Sequence, residues 1–146
     1  MRSGRSGSQH GNAALELVIL GPVLLFLLGL LIAAGRTSIA QGSVQAAARD
    51  AARQASIART PAAARAAALA SARLALSQDS LDCTPVVKVD TGGPSTGFGA
   101  PVGVPAQVTA KVICQVSLSD LLVPGMPGSR TLKATFTSPL DPFRAR

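Results

Sequence analysis

The sequence predicts an α+β fold in which a long N-terminal transmembrane helix and a second Ala-rich helix pack on a small three-stranded antiparallel sheet. Three observations predict it. A stretch of apolar residues near the N-terminus is long enough to cross a bilayer. The sequence after it is rich in Ala and Arg, in helical patterning, to about Ser77. Three later segments alternate apolar and polar residues with a period of two.

The apolar stretch, Ala13 to Ala34, reads AALELVILGPVLLFLLGLLIAA and carries no charge from Leu17 onward. At about 1.5 Å of rise per residue it spans a hydrocarbon core of about 30 Å. It exceeds the usual h-region of a cleaved secretory signal. Removal after Ala34, leaving a soluble domain, is the competing reading. Arg2, Arg5 and the absence of acids before Glu16 favour a cytoplasmic N-terminus. The arginines beyond Arg36 pull the other way. Pro22 inside the span should kink or weaken the helix.

Helix formers and small residues continue from Arg36 to Ala58, with Arg49 and Arg53 one turn apart. This part reads as one stem with the membrane helix, starting near Ala13. Thr60-Pro61 is a restart signal, Thr as N-cap and Pro at the first helical position. The second helix then runs from Pro61 to about Ser77 and offers Leu69, Leu74 and Leu76 to a core.

Val87 and Val89 alternate with Lys88 and Asp90. Val108, Ala110, Val112, Cys114, Val116 and Leu118 share one face of a second strand. Leu132, Ala134 and Phe136 do the same in a third. Between the first two strands lies TGGPSTGFGAPVGVP and between the last two LVPGMPGS, both read as Gly/Pro loops, the first flexible. A three-stranded sheet with one apolar face needs a cover, which the second helix and the top of the stem can supply. By strand parity Cys83 falls with Val87 and Val89, and Cys114 with Val112 and Val116. Two cysteines outside the membrane read as a disulfide, Cys83 to Cys114; two buried free thiols are the alternative.

Composition excludes several functions. The chain is 47% hydrophobic but 3% aromatic, and much of the apolar content is Ala, so the exported part has no thick core of its own. The net charge of +7 raises nucleic acid as a partner. However, Arg49, Arg53, Arg59, Arg65 and Arg73 are spread along helices, with Arg144 and Arg146 in the tail. Without Trp or Tyr there is no stacking platform, and no recognition motif accompanies the charge. No nucleic-acid binding is expected; a solvated helix face is. No enzyme is expected either. The single His, His10, lies before the span, and two cysteines make no zinc site. Asp79, Asp82, Asp90, Asp120 and Asp141 are scattered over loops and strand ends. The Gly-rich loop has no Lys at phosphate-loop spacing, and no Ser sits in a nucleophile elbow. No cofactor or metal site is expected.

Glu16 lies at the start of the apolar run, where an unpaired carboxylate in lipid costs about 2.5 kcal/mol or more. It could sit in the headgroup layer, favoured by the helix N-terminal dipole. Its neighbours suggest more. Cleavage after Gly11 would make Asn12 the first mature residue and Glu16 the fifth. A short basic leader ending in Gly, a Glu at that position and an unbroken apolar helix resemble the class III signal cut by prepilin peptidases. More narrowly, Gly11, Glu16 and Pro22 in GNAALELVILGPVLLFLLGLL, followed by an Ala/Arg-rich helix, resemble the TadE-like family of Tad (Flp) pilus proteins. The likeness covers Gly11 to about Ala58 and extends, with less of the pattern, into the C-terminal strands. Asn12 departs from the hydrophobic first mature residue of many type IV pilins.

The resemblance implies residues 1–11 as a cytoplasmic leader, 12–35 as the transmembrane helix, 36–78 as Ala/Arg-rich extracytoplasmic helices and 79–146 as a small β domain. It implies a single-pass protein of a bacterial cytoplasmic membrane, N-terminus in and C-terminus out. Its partners would be the membrane, a prepilin peptidase and other pilins or TadE/TadF-like subunits. The role would be that of a minor pilin or pseudopilin in assembling a Tad-type pilus or related secretion apparatus. The alternative is a bitopic envelope protein whose outer domain binds a partner and never enters a filament.

Overall fold

The computed structural model describes residues 10–117 and 128–143, with side chains inside the first helix from Glu16 onward. The leader arginines, Leu118, Asp120, most of the loop expected between the last two strands, and Arg144 and Arg146 lie outside these residues, as does the side chain of Asn12. Two helices, α1 (His10–Ile57) and α2 (Pro61–Gln78), precede three strands, β1 (Val86–Asp90), β2 (Ala106–Ser117) and β3 (Ser129–Leu140).

Helix α1 runs unbroken through Pro22 and joins membrane span and stem in one rod. Its stop and the restart are local chemistry. Thr60 is extended (φ −129°, ψ 153°), and its hydroxyl accepts the Ala63 N–H at 3.2 Å, with Pro61 opening α2. Beyond α2, the Asp79 N–H donates to Ala75 O and the Leu81 N–H to Leu76 O, which uses carbonyls the helix end leaves free.

The sheet is antiparallel in the order β1-β2-β3. Val87 pairs with Val112 and Val89 with Ala110 in one ladder; Val112 with Ala134 and Cys114 with Leu132 in the other. The alternation puts Val108, Ala110, Val112 and Cys114 into the core, together with Leu132 and Ala134. Against this face lie Ala40, Val44, Ala47, Ala48, Ala51, Ala52 and Ala55 of α1. A stripe of Ala64, Ala68, Ala72 and Leu76, each one turn from the last, comes from α2. Methyl-sized side chains on both helices allow axes at the short end of the usual 8–10 Å separation. Close approach makes up for the small area each Ala buries.

Two expectations need correction, and one needs a finer statement. Leu74 points to solvent at 61% exposure and Leu69 is half-buried, so Leu76 and the alanines form the inner face of α2. Phe136 has the inward parity of Leu132 and Ala134 but is 38% exposed. β3 is an edge strand, and the space under it is scaled to Ala and Ser. The larger ring stays on the α1 side, beneath Arg49, whose guanidinium carbon is 5.8 Å from its centroid. The segment after β1, read as flexible, is instead packed. Phe98 is buried in a short 3-10 turn, Gly97–Gly99. Its N–H donates to Thr91 O at 2.9 Å, and Arg65 of α2 donates to the Thr91 hydroxyl at 3.2 Å. Gly92 (φ +76°) and Gly97 (φ +55°) touch each other's backbone so closely that a Cβ on either would meet main-chain atoms.

Cys83 and Cys114 form a disulfide with Cα atoms 5.8 Å apart. Cys83 precedes β1 instead of lying on it, so the bond fastens the connection after α2 to the central strand. Cys114 is completely buried.

Candidate assembly interface

From Leu17 to Ile32 the apolar side chains of α1 are exposed on every side: Leu17 and Val18 at 73%, Leu25 at 70%, Leu31 at 71%, with Phe26 and Leu27 near half. A helix that is apolar all round belongs in lipid or among other helices. The first helix has a mean hydropathy of 2.9 over its most apolar window, enough to cross a membrane once. The chain fits a single-pass membrane protein. The polarity changes where the stem begins, and from Ala40 onward one face of α1 is covered by the molecule's own sheet and second helix.

Glu16 is exposed and makes no hydrogen bond or ion pair with another described residue. It stands one residue before the uncharged run. Gly11 and Asn12 lie on the first turn of α1, so the expected scissile bond and Glu16 share one helical segment. A Cβ placed on Gly21, Gly35 or Gly42 would meet nothing within 4 Å. Their spacings are multiples of seven residues, so they lie near one line of the rod. Sequence reasoning passed over them; the signal was their spacing, which composition does not display.

The sheet domain has an open groove of about 600 Å³ between the packed loop and the sheet, lined by Asp90, Gly92, Thr96, Gln107 and Thr109 among others. Its one carboxylate, Asp90, already accepts the Gly92 N–H at 3.0 Å. The groove therefore offers a partner little beyond shape and hydroxyls.

The apolar rod, its lone acid and the small residues along it belong to a continuous stretch of chain that matches a known pattern. Residues 11–53 match the family model described as TadE-like protein. This part of the chain is TadE-like. No curated protein and no solved structure matches the chain. The TadE-like match takes in the membrane run and most of the stem and ends before α2.

Proposed function

We propose that the protein is a TadE-like minor pilin or pseudopilin that takes part in assembling a Tad-type pilus or a related secretion apparatus. One observation carries this reading. The TadE-like α1 is a single rod whose outer part is wrapped by its own domain while its inner part is apolar and bare on every side. Such a helix is stored in the bilayer and later packs against helices of other subunits. The role is structural, with no catalytic step. The N-terminus faces the cytoplasm and the sheet domain lies outside.

In this reading a prepilin peptidase cuts between Gly11 and Asn12, and the new Asn12 α-amino group has a reference pKa near 8, hence a positive charge at neutral pH. Glu16 of a neighbouring subunit meets that ammonium at the same membrane depth. A paired charge in an apolar bundle costs far less than an unpaired one, so the match favours one axial register. The test is Glu16→Gln, which keeps size and polarity but removes the charge. The variant should insert, form its disulfide and be processed, yet fail to co-purify with other pilins. Normal co-purification would reduce Glu16 to a helix-start acid in the headgroup layer. A mature chain that keeps Met1 to Gly11 would favour instead a bitopic envelope protein with a partner-binding outer domain.

A further inference from the structure

Two side-chain hydrogen bonds fix how the sheet stands beside α1. Gln41 Nε2 donates to Lys133 O at 3.1 Å, and the Ser138 hydroxyl donates to that of Ser56 at 3.2 Å. From Lys133 to Ser138 a strand advances about 17 Å, and from Gln41 to Ser56 a helix rises about 22 Å. These agree within the reach of the side chains, so β3 ascends with α1, away from the membrane. Followed backwards, the strand descends. Gln41 stands about 7 Å beyond Arg36 along the helix, and Arg130 lies about 10 Å below Lys133 along β3. Arg130 therefore comes to the level of Arg36, where the apolar span ends. Ala33, inside the span, is 1% exposed while its neighbour Ile32 is 47% exposed, so protein covers one side of the helix at the outer edge of the span.

Charge at this level is sorted by side. Arg36 of α1 and Arg130 and Lys133 of the edge strand β3 are exposed, the last two on opposite faces of the strand. Asp79 and Asp82 follow the end of α2, which packs on β1 at the opposite edge of the sheet. We propose that the membrane-proximal end of the β2–β3 ladder rests on the lipid surface, with Arg36, Arg130 and Lys133 binding the phosphates of anionic phospholipid headgroups. Basic side chains within a Debye length of such a surface are attracted to it. The contact holds the exported domain in one orientation on the membrane while the subunit is stored there. The inference rests on the membrane span alone and not on entry into a filament.

The full chain is reconstituted in nanodiscs of phosphatidylcholine, with or without phosphatidylglycerol, and lysines are acylated and quantified by peptide mass spectrometry. Lys88 is the internal reference, since it lies on the far strand and pairs with Lys111, two register positions above Lys133. Lys133 should react about threefold more slowly than Lys88 in phosphatidylglycerol discs, and the difference should vanish in about 1 M salt or in pure phosphatidylcholine. Arg36→Gln/Arg130→Gln should reduce the protection. A Lys133-to-Lys88 ratio that ignores lipid charge overturns the proposal, whether Lys133 is free in both discs or equally shielded in both. A chain that does not enter the discs removes the membrane span and this proposal with it. Filament assembly is read separately, by co-purification.

Discussion

Arg49 of the stem lies over the ring of Phe136 on the edge strand, 5.8 Å from the centroid. The pair closes the side of the core where the alanines of α1 leave no room for a phenyl ring. At a half-exposed site such a contact contributes about 0.5–1 kcal/mol. Arg49→Ala should therefore lower stability by about that much plus the lost packing of its stem. Arg49→Lys should recover part of it. Thermal unfolding of the two variants checks the order.

The inner face of α2 makes opposite predictions for neighbouring positions. Ala68 is fully buried between α1 and the sheet, so Ala68→Leu should destabilise by about 1–3 kcal/mol through overpacking. Leu74 is 61% exposed, so Leu74→Ala should stay within about 0.5 kcal/mol of the parent. Denaturant midpoints compared side by side decide this; equal losses would mean that α2 is rotated from the described position.

The Cys83–Cys114 bond closes a separation of 31 residues. In the chain-entropy model a loop of this size is stabilised by roughly 3–4 kcal/mol. Alkylation of the unfolded, exported protein followed by mass spectrometry should modify both cysteines only after reduction. Their modification without reductant would show that the bond does not form.

Thr60 supplies the one side-chain cap of α2, so Thr60→Ala should cost about 1 kcal/mol, and Thr60→Ser much less. Hydrogen exchange should show the loss concentrated at the amides of Pro61–Gln78's first turn, Ala62 to Ala64.

What the sequence displayed was whatever repeats with a period or has local chemistry. The strands were legible because Val108, Ala110, Val112 and Cys114 alternate with polar residues without interruption, and the helix break because Thr60 and Pro61 each have one favoured position. Phe136 keeps the face that parity gives it, but parity tells which way a side chain points and not how much room the facing helix leaves. Leu74 misled because α2 buries its alanines, and a larger residue on the wrong side of the stripe attracts more notice than Ala64 or Ala68. The order of the segment around Phe98 was hidden because Gly and Pro mark both loose loops and tightly packed ones. The contacts at Gly92 and Gly97 that distinguish them arise only on folding. For the site, Glu16 and the bare apolar run were visible at once. The depth of Arg130 was not, since it follows from the register of β3 against α1 across 92 residues.

The central claim, that this chain is processed and assembled as a pilin-like subunit, is tested most directly by sequencing the N-terminus of the protein from its native membrane. The account predicts a chain beginning at Asn12, and blocked processing in Gly11→Leu, because the peptidase must accept a small residue before the scissile bond. A native chain that still begins with its leader, or that begins at Gly35, would contradict it.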